Sequence, residues 1–156
     1  MNMVSDQEDQ IVTATRDIPA SAQQIFDLLA DPSRHTEIDG SDTVQKLRSD
    51  GPTRLSLGAK FGMDMKFSFL PYAIYNEVIE FEEPLAIAWR HLGYHVWRYE
   101  LEPLDDATTR VTESFNWGEA RFPPMYEWLR YPSQHEGNMA RSLERLDAIF
   151  SGDQTQ

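Results

Sequence analysis

Cysteine is absent from this 156-residue sequence. Disulfides, thiolate metal sites and cysteine nucleophiles are therefore excluded. Positive charge is scarce: 14 Lys and Arg stand against 26 Asp and Glu, a formal net charge of −12 with histidine neutral. Nucleic acids and anionic membranes attract clustered Lys and Arg, so a surface this acidic is expected to repel both. Long apolar runs are missing as well. No stretch approaches the roughly 20 apolar residues of a membrane span. The opening MNMVSDQEDQ has neither the basic start nor the apolar run of about 7–15 residues that a secretory signal carries. The expectation is a soluble, cytoplasmic protein. Several signatures of common chemistries are also missing: G-x-x-x-x-G-K-S/T, G-x-G-x-x-G after a strand, H-E-x-x-H and G-x-S-x-G. No cofactor is expected.

What is present suits an ordinary globular chain, with 40% apolar and 12% aromatic residues. The length fits one domain. At this size folding buries about 68–70% of the surface that the unfolded chain exposes, so the core needs no staples. The expected domain runs over residues 10–150, with flexible termini at 1–9 and 151–156.

Residues 10–17 are rich in Val, Ile and Thr and read as a strand. A helix follows, with Ser21 as N-cap, Gln24 completing a capping box, and Ile25, Phe26, Leu28 and Leu29 as its apolar stripe. Asp31-Pro32 stops it and starts a second short helix that ends before Gly40. Candidate strands then occupy 42–49, 57–69, 73–83, 85–92, 95–103 and 108–118, with turns marked at Asp50-Gly51-Pro52, Leu70-Pro71, Glu83-Pro84, Gly93 and Asp105-Asp106. Alternation is clear in three of them. Phe61, Met63, Met65, Phe67 and Phe69 share one face; so do Trp97, Tyr99 and Leu101, and so do Val111, Glu113, Phe115 and Trp117. An antiparallel sheet with one apolar and one wet face follows. A last helix, with Ser133 as its cap, carries Met139, Leu143, Leu146 and Phe150 at helical spacing. Before it, Phe122 to Pro132 is aromatic, broken by prolines, and reads as a loop or a short helix; residues 118–132 as a whole read as either a lid or a dimer contact, which leaves a homodimer open.

Three segments carry a family resemblance. ASAQQIFDLLADPSRH resembles the opening signature of the START-like and polyketide cyclase/dehydrase (SRPBCC) superfamily, a helix S-x-x-I-F/W-x-x-I/L followed by D-P. YNEVIEFEEPLAIAW is similar to its E-x-x-x-P-x-x-I-x-W strand and turn, and YELEPLDDATTRVTES to its Y-x-L-E-P…T-R-V-T-E hairpin. The resemblance spans about residues 10–150. It implies an α+β helix-grip fold: a curved, antiparallel, seven-stranded sheet wrapped around a long C-terminal helix, with two short helices after the first strand and a hydrophobic cavity between sheet and helix. Members bind lipids, sterols, polyketides or plant hormones, and some catalyse cyclisation or dehydration. These motifs shape the fold and name no catalyst.

The candidate ligand-binding set is Met63, Met65, Phe67, Phe69, Trp89, Trp97, Tyr99, Phe115, Trp117, His135 and Met139. Bulky aromatics and pliant methionines suit a pocket for an apolar molecule, and so many on one sheet face exceed what a single helix can cover. Simple core packing is the alternative for any one of them. Glu113 shares a face with Val111 and Phe115, where a carboxylate is costly unless paired or protonated. It is a candidate acid/base or ligand contact, with an Arg or Tyr partner, or a place at the sheet's rim in water, as the plainer explanation. His35, four residues before Asp39 on a short helix, is the second catalytic candidate, since a carboxylate partner would raise its basicity. His91 and His95 flank a turn, but spacing presents no third ligand, so no metal site is expected. The leading reading is a binder of a hydrophobic or amphipathic small molecule. A cofactor-independent cyclase/dehydratase and a protein-interaction module using the outer face are the alternatives.

Overall fold

The computed structural model describes residues 11–39, 44–47, 51–67, 70–91, 96–116 and 131–152. The Val/Ile/Thr-rich start forms β1 (Ile11–Ile18), and the capping box starts α1 (Ala22–Leu29). Ser21 Oγ accepts from the Gln24 backbone N–H at 3.2 Å, and the Gln24 side chain accepts from the Ser21 N–H at 3.0 Å. Together these satisfy two of the helix's orphan donors. Asp31 repeats the device, accepting from the Ser33 N–H at 3.0 Å. It opens a single 3₁₀ turn, Pro32–Arg34, which runs into the four-residue α2 (His35–Ile38). The strands β2 (Val44–Leu47), β3 (Lys60–Phe67), β4 (Leu70–Glu82), β5 (Ala86–His91), β6 (Val96–Asp105) and β7 (Thr108–Asn116) follow, and α3 (Tyr131–Gly152) closes the fold.

All seven strands join one sheet in the order β1-β7-β6-β5-β4-β3-β2, every pair antiparallel. The predicted faces hold along β7, where Val111, Glu113 and Phe115 are buried and Arg110 is exposed. A bulge between Val78 and Glu80 shifts the β4–β5 register by one residue. That shift changes which residues face inward. Val78 is buried before the bulge, and Phe81 packs on the core after it. The outer face is laced with ion pairs, Arg98 with Glu80 and Glu100, and Arg110 with Asp17. The loop before β3 turns through Gly58, whose φ of +81° suits a residue without a Cβ.

Three boundaries differ from the sequence expectation. Leu70 and Pro71 lie inside β4, paired with Phe67 and Lys66, rather than forming a turn. Proline is tolerated in the first residues of a strand because few ladder bonds depend on its nitrogen there. Helix α3 begins at Tyr131, so Ser133 sits inside its first turn instead of capping it; Pro132 is compatible with a first turn, whose N–H groups are unpaired in any case. The same helix runs on through Ser151 and Gly152, where a flexible tail was expected, and Ser151 Oγ donates to Asp147 at 2.7 Å.

The inner face is not covered by α3 alone. Ile25, Phe26 and Leu29 of α1, Ile38 of α2 and Leu55 close over one end, packing with Phe61, Met63, Trp89 and Tyr99, and Leu143 and Leu146 of α3 join the same core. A smaller cluster of Phe115 and Met139, backed by Val12, Ala14 and Trp97, occupies the other end.

Candidate functional site

Register decides which inward side chains meet. Along β6 and β7 the paired residues are Trp97 with Phe115 and Tyr99 with Glu113, while Ala14 of β1 stands opposite Glu113 on its other side. Alternation therefore places an aromatic next to a carboxyl on the same face. The Tyr99 hydroxyl donates to Glu113 Oε1 at 2.9 Å. Both groups are nearly sealed from water, Glu113 at 2% exposure and Tyr99 at 5%. Glu113 is the one buried carboxyl among the described residues. Its second oxygen, Oε2, is buried and has no hydrogen-bond partner among them.

The electrostatics follow from that geometry. Burial pushes the Glu113 carboxyl up to about 8; the Tyr99 hydrogen bond opposes the shift and the charge of Asp39 adds to it. Tyr99 is held well above the ordinary phenol value by its own burial, then by Glu113 and Asp39. Near neutrality the pair is thus a carboxylic acid beside a phenol, with its charge suppressed because water is excluded. Asp39 reaches this pair from the end of α2, where Arg145 of α3 donates to its backbone carbonyl.

His35 takes a different place from the one expected. Its Nε2 bonds to the Leu29 carbonyl at 2.8 Å rather than to Asp39, so Nε2 carries the proton, and the carboxylate acting on it is that of Asp31. The reason is the brevity of α2. His35 opens the helix and turns inward, while Asp39 follows its last residue in extended backbone. The imidazole stacks on Trp89 at 4.9 Å and 21°, with Phe61 edge-on at 5.6 Å. Burial holds it below its ordinary value of 6.5, so it is neutral at neutral pH. His35 and Glu113 lie at the two ends of an aromatic row, in which Trp89 stands 5.7 Å from Tyr99.

The other candidates divide between the two ends. Met63, Trp89 and Tyr99 belong to the main core and Phe115 and Met139 to the smaller cluster, while Trp97 packs against both, its ring 4.5 Å from that of Phe115. Met65 and Phe67 pair with Tyr72 and Leu70 as strand residues, and His135 falls in α3. The side chains of these three, and all of Phe69, Trp117 and His95, lie outside the described residues. His91 is partly buried, and burial lowers its imidazole to about 4. No group of three or more His, Asp or Glu among the described residues could hold a metal ion. Nor is any helix among them long and apolar enough to cross a membrane. Sequence reasoning missed the Leu29 carbonyl as the partner of His35 and Asp39 as a neighbour of Glu113. Neither leaves a signal in residue spacing.

Known proteins place this arrangement in context. Residues 9–150 match the family model described as polyketide cyclase / dehydrase and lipid transport. Uncharacterized protein Rv0088 of Mycobacterium tuberculosis is 38% identical over 144 residues, which cover 90% of this chain and 64% of the relative. The chain thus spans less than two thirds of the length of the curated relatives it matches. Protein Ms6760 from Mycobacterium smegmatis is similar in structure, with a TM-score of 0.71 at 17% identity over 94% of both chains. The Polyketide_cyc-like protein Cgl2372 from Corynebacterium glutamicum gives 0.61 at 20%, again over 94% of each. At such identities the two structures speak for the fold alone.

Proposed function

The chain belongs to the polyketide cyclase/dehydrase and lipid transport family, and from that membership we propose that it encloses a hydrophobic or amphipathic small molecule between the inner face of its sheet and α3. The observation that carries this reading is Glu113 Oε2, buried and without a hydrogen-bond partner among the described residues, while Tyr99 holds the carboxyl's other oxygen. Buried polar atoms are almost always hydrogen-bonded, and an orphan costs about 1–3 kcal/mol. A ligand's polar group would complete the bond, and aromatic and Met side chains of the inner face would bury the ligand's apolar body. Trp97, half-buried beside Phe115, is the expected outer wall of the site.

Native mass spectrometry of protein purified without denaturant, followed by solvent extraction, tests the reading. A defined, co-purifying apolar molecule is the expected result. If the mass is that of the bare chain, titration with the neutral dye phenylnaphthylamine decides: no quenching of the chain's tryptophan fluorescence overturns enclosure.

A second reading, cofactor-independent proton transfer on an enclosed substrate, is favoured by one observation. The Glu113 carboxyl sits near 8, within reach of both protonation states at neutral pH. In that case Glu113 is the acid/base and Tyr99 orients it, whereas His35 is committed to the Leu29 carbonyl. Glu113→Gln is then expected to abolish turnover while leaving binding nearly intact, and His35→Ala to leave turnover in place.

A further inference from the structure

We infer that Glu113 serves the enclosed ligand as a neutral hydrogen-bond donor, its Oε2 hydroxyl donating to the carbonyl oxygen of an uncharged, largely apolar molecule. The inference rests on the enclosure reading and narrows its ligand class. A tyrosine hydroxyl has one proton, and Tyr99 directs it to Oε1. Oε1 is therefore the accepting oxygen of the carboxyl, and the carboxyl's own proton resides on Oε2, the oxygen without a partner among the described residues. Ionisation would leave a bare anionic oxygen on a side chain that is 2% exposed, with Ala14 and Tyr99 opposite it on the flanking strands, where water cannot solvate it.

The surroundings act in the same direction. Asp39 brings a negative charge that pushes both Glu113 and Tyr99 toward their protonated forms. A donor set in such surroundings favours a ketone, ester or quinone oxygen over a plain hydrocarbon, which leaves Oε2 unpaired. It disfavours a carboxylate or phosphate ligand, which would add an anion beside Asp39.

Three matched probes test this: acetylnaphthalene, ethylnaphthalene and naphthoate, titrated by tryptophan fluorescence at about pH 6.5, below the folded value of about 8 for the carboxyl. The wild-type chain is expected to bind the ketone about tenfold tighter than the hydrocarbon, a difference of 1.4 kcal/mol, and naphthoate weakest of the three. Glu113→Gln keeps a donor in the Oε2 position and keeps the preference for the ketone. Glu113→Leu loses it while leaving ethylnaphthalene affinity within about twofold, since the apolar area removed from water is nearly the same. The infrared carbonyl stretch of bound acetylnaphthalene is expected to shift to lower frequency in wild type and Glu113→Gln. Equal binding of ketone and hydrocarbon, or a preference that survives Glu113→Leu, overturns the donor role and leaves enclosure standing. Failure of every probe to bind overturns enclosure and the donor role with it. If Glu113→Leu does not fold, an unshifted carbonyl stretch in wild type overturns the proposal by itself.

Discussion

At the end of the sheet covered by α1 and α2, His35 is buried between Trp89 and Phe61, and its Nε2–H is matched to the Leu29 carbonyl. At the β6–β7 end, Glu113 is buried as completely, but Tyr99 occupies only one of its two oxygens. Both side chains lose solvation, and both shift toward their neutral forms. The lesson is that burial of a titratable group does not by itself mark a site. A core histidine whose proton has found a backbone carbonyl is a packing element with a polar seam. A carboxyl with an unanswered oxygen is an incomplete arrangement, and that incompleteness is what points to a ligand.

The comparison breaks first if the His35 end is not packed core. Trp89→Ala removes the ring on which His35 stacks and is expected to cost about 3–5 kcal/mol in urea unfolding. A loss below about 1 kcal/mol would mean that this end collapses easily or is itself a pocket. The pH dependence of stability sharpens the contrast. The Glu113 carboxyl sits near 8 folded against 4.5 ordinarily, so the folded state holds the extra proton between those values. Stability from this group is complete below pH 4.5 and is lost as pH rises through 8. Melts should show a fall of about 2 kcal/mol between about pH 6.5 and 8.5, at 1.36 kcal/mol for each pH unit, and Glu113→Gln should remove it. The histidines run the other way. Burial lowers His35, and His91 to about 4, so their contribution is lost as pH falls below 6.5. Stability is therefore expected to be highest in a window around pH 6.5, where the histidines are neutral and the carboxyl is protonated.

Removing both members of the polar pair is a smaller step. Glu113→Leu with Tyr99→Phe leaves no orphan and is expected to raise stability by about 1–2 kcal/mol, as replacement of buried polar pairs by packed apolar groups often does. Calorimetric unfolding checks it, and a net loss would mean that the pair contributes to the fold. The smallest effect belongs to the outer face. Arg98 is partly exposed and bonds to Glu80 and Glu100, so Arg98→Ala is expected to cost less than about 1 kcal/mol, shrinking further in salt. A larger loss would mean that the wet face has a structural role the inner face does not explain.

Much of the fold was legible in the residues. The Ser21–Gln24 box, the Asp31-Pro32 start and the alternation along β7 act over a few residues, where capping and pleat geometry leave little choice. The Leu70-Pro71 turn and the Ser133 cap misled for the same local reason. Each residue type suits a boundary, but pairing with Phe67 and the longer extent of α3 overrode the preference. Of the site, Glu113 could be found because a carboxyl in an apolar alternation violates the pattern, and Tyr99 because register sets it opposite. Asp39 and the Leu29 carbonyl could not be found in that way.

The order of strands and helices, the inward set of aromatics and the misfit of Glu113 are thus properties of the sequence, fixed by periods of two and of 3.6 residues along the chain. Tertiary structure alone decided which of the misfits was answered. It turned His35 onto Trp89 and the Leu29 carbonyl, drew Asp39 toward the Glu113–Tyr99 pair from 74 positions away in the chain, and left one Glu113 oxygen without a partner among the described residues. Spacing carries no information about such meetings, because they depend on how a four-residue helix and a 22-residue helix come to rest on the same sheet.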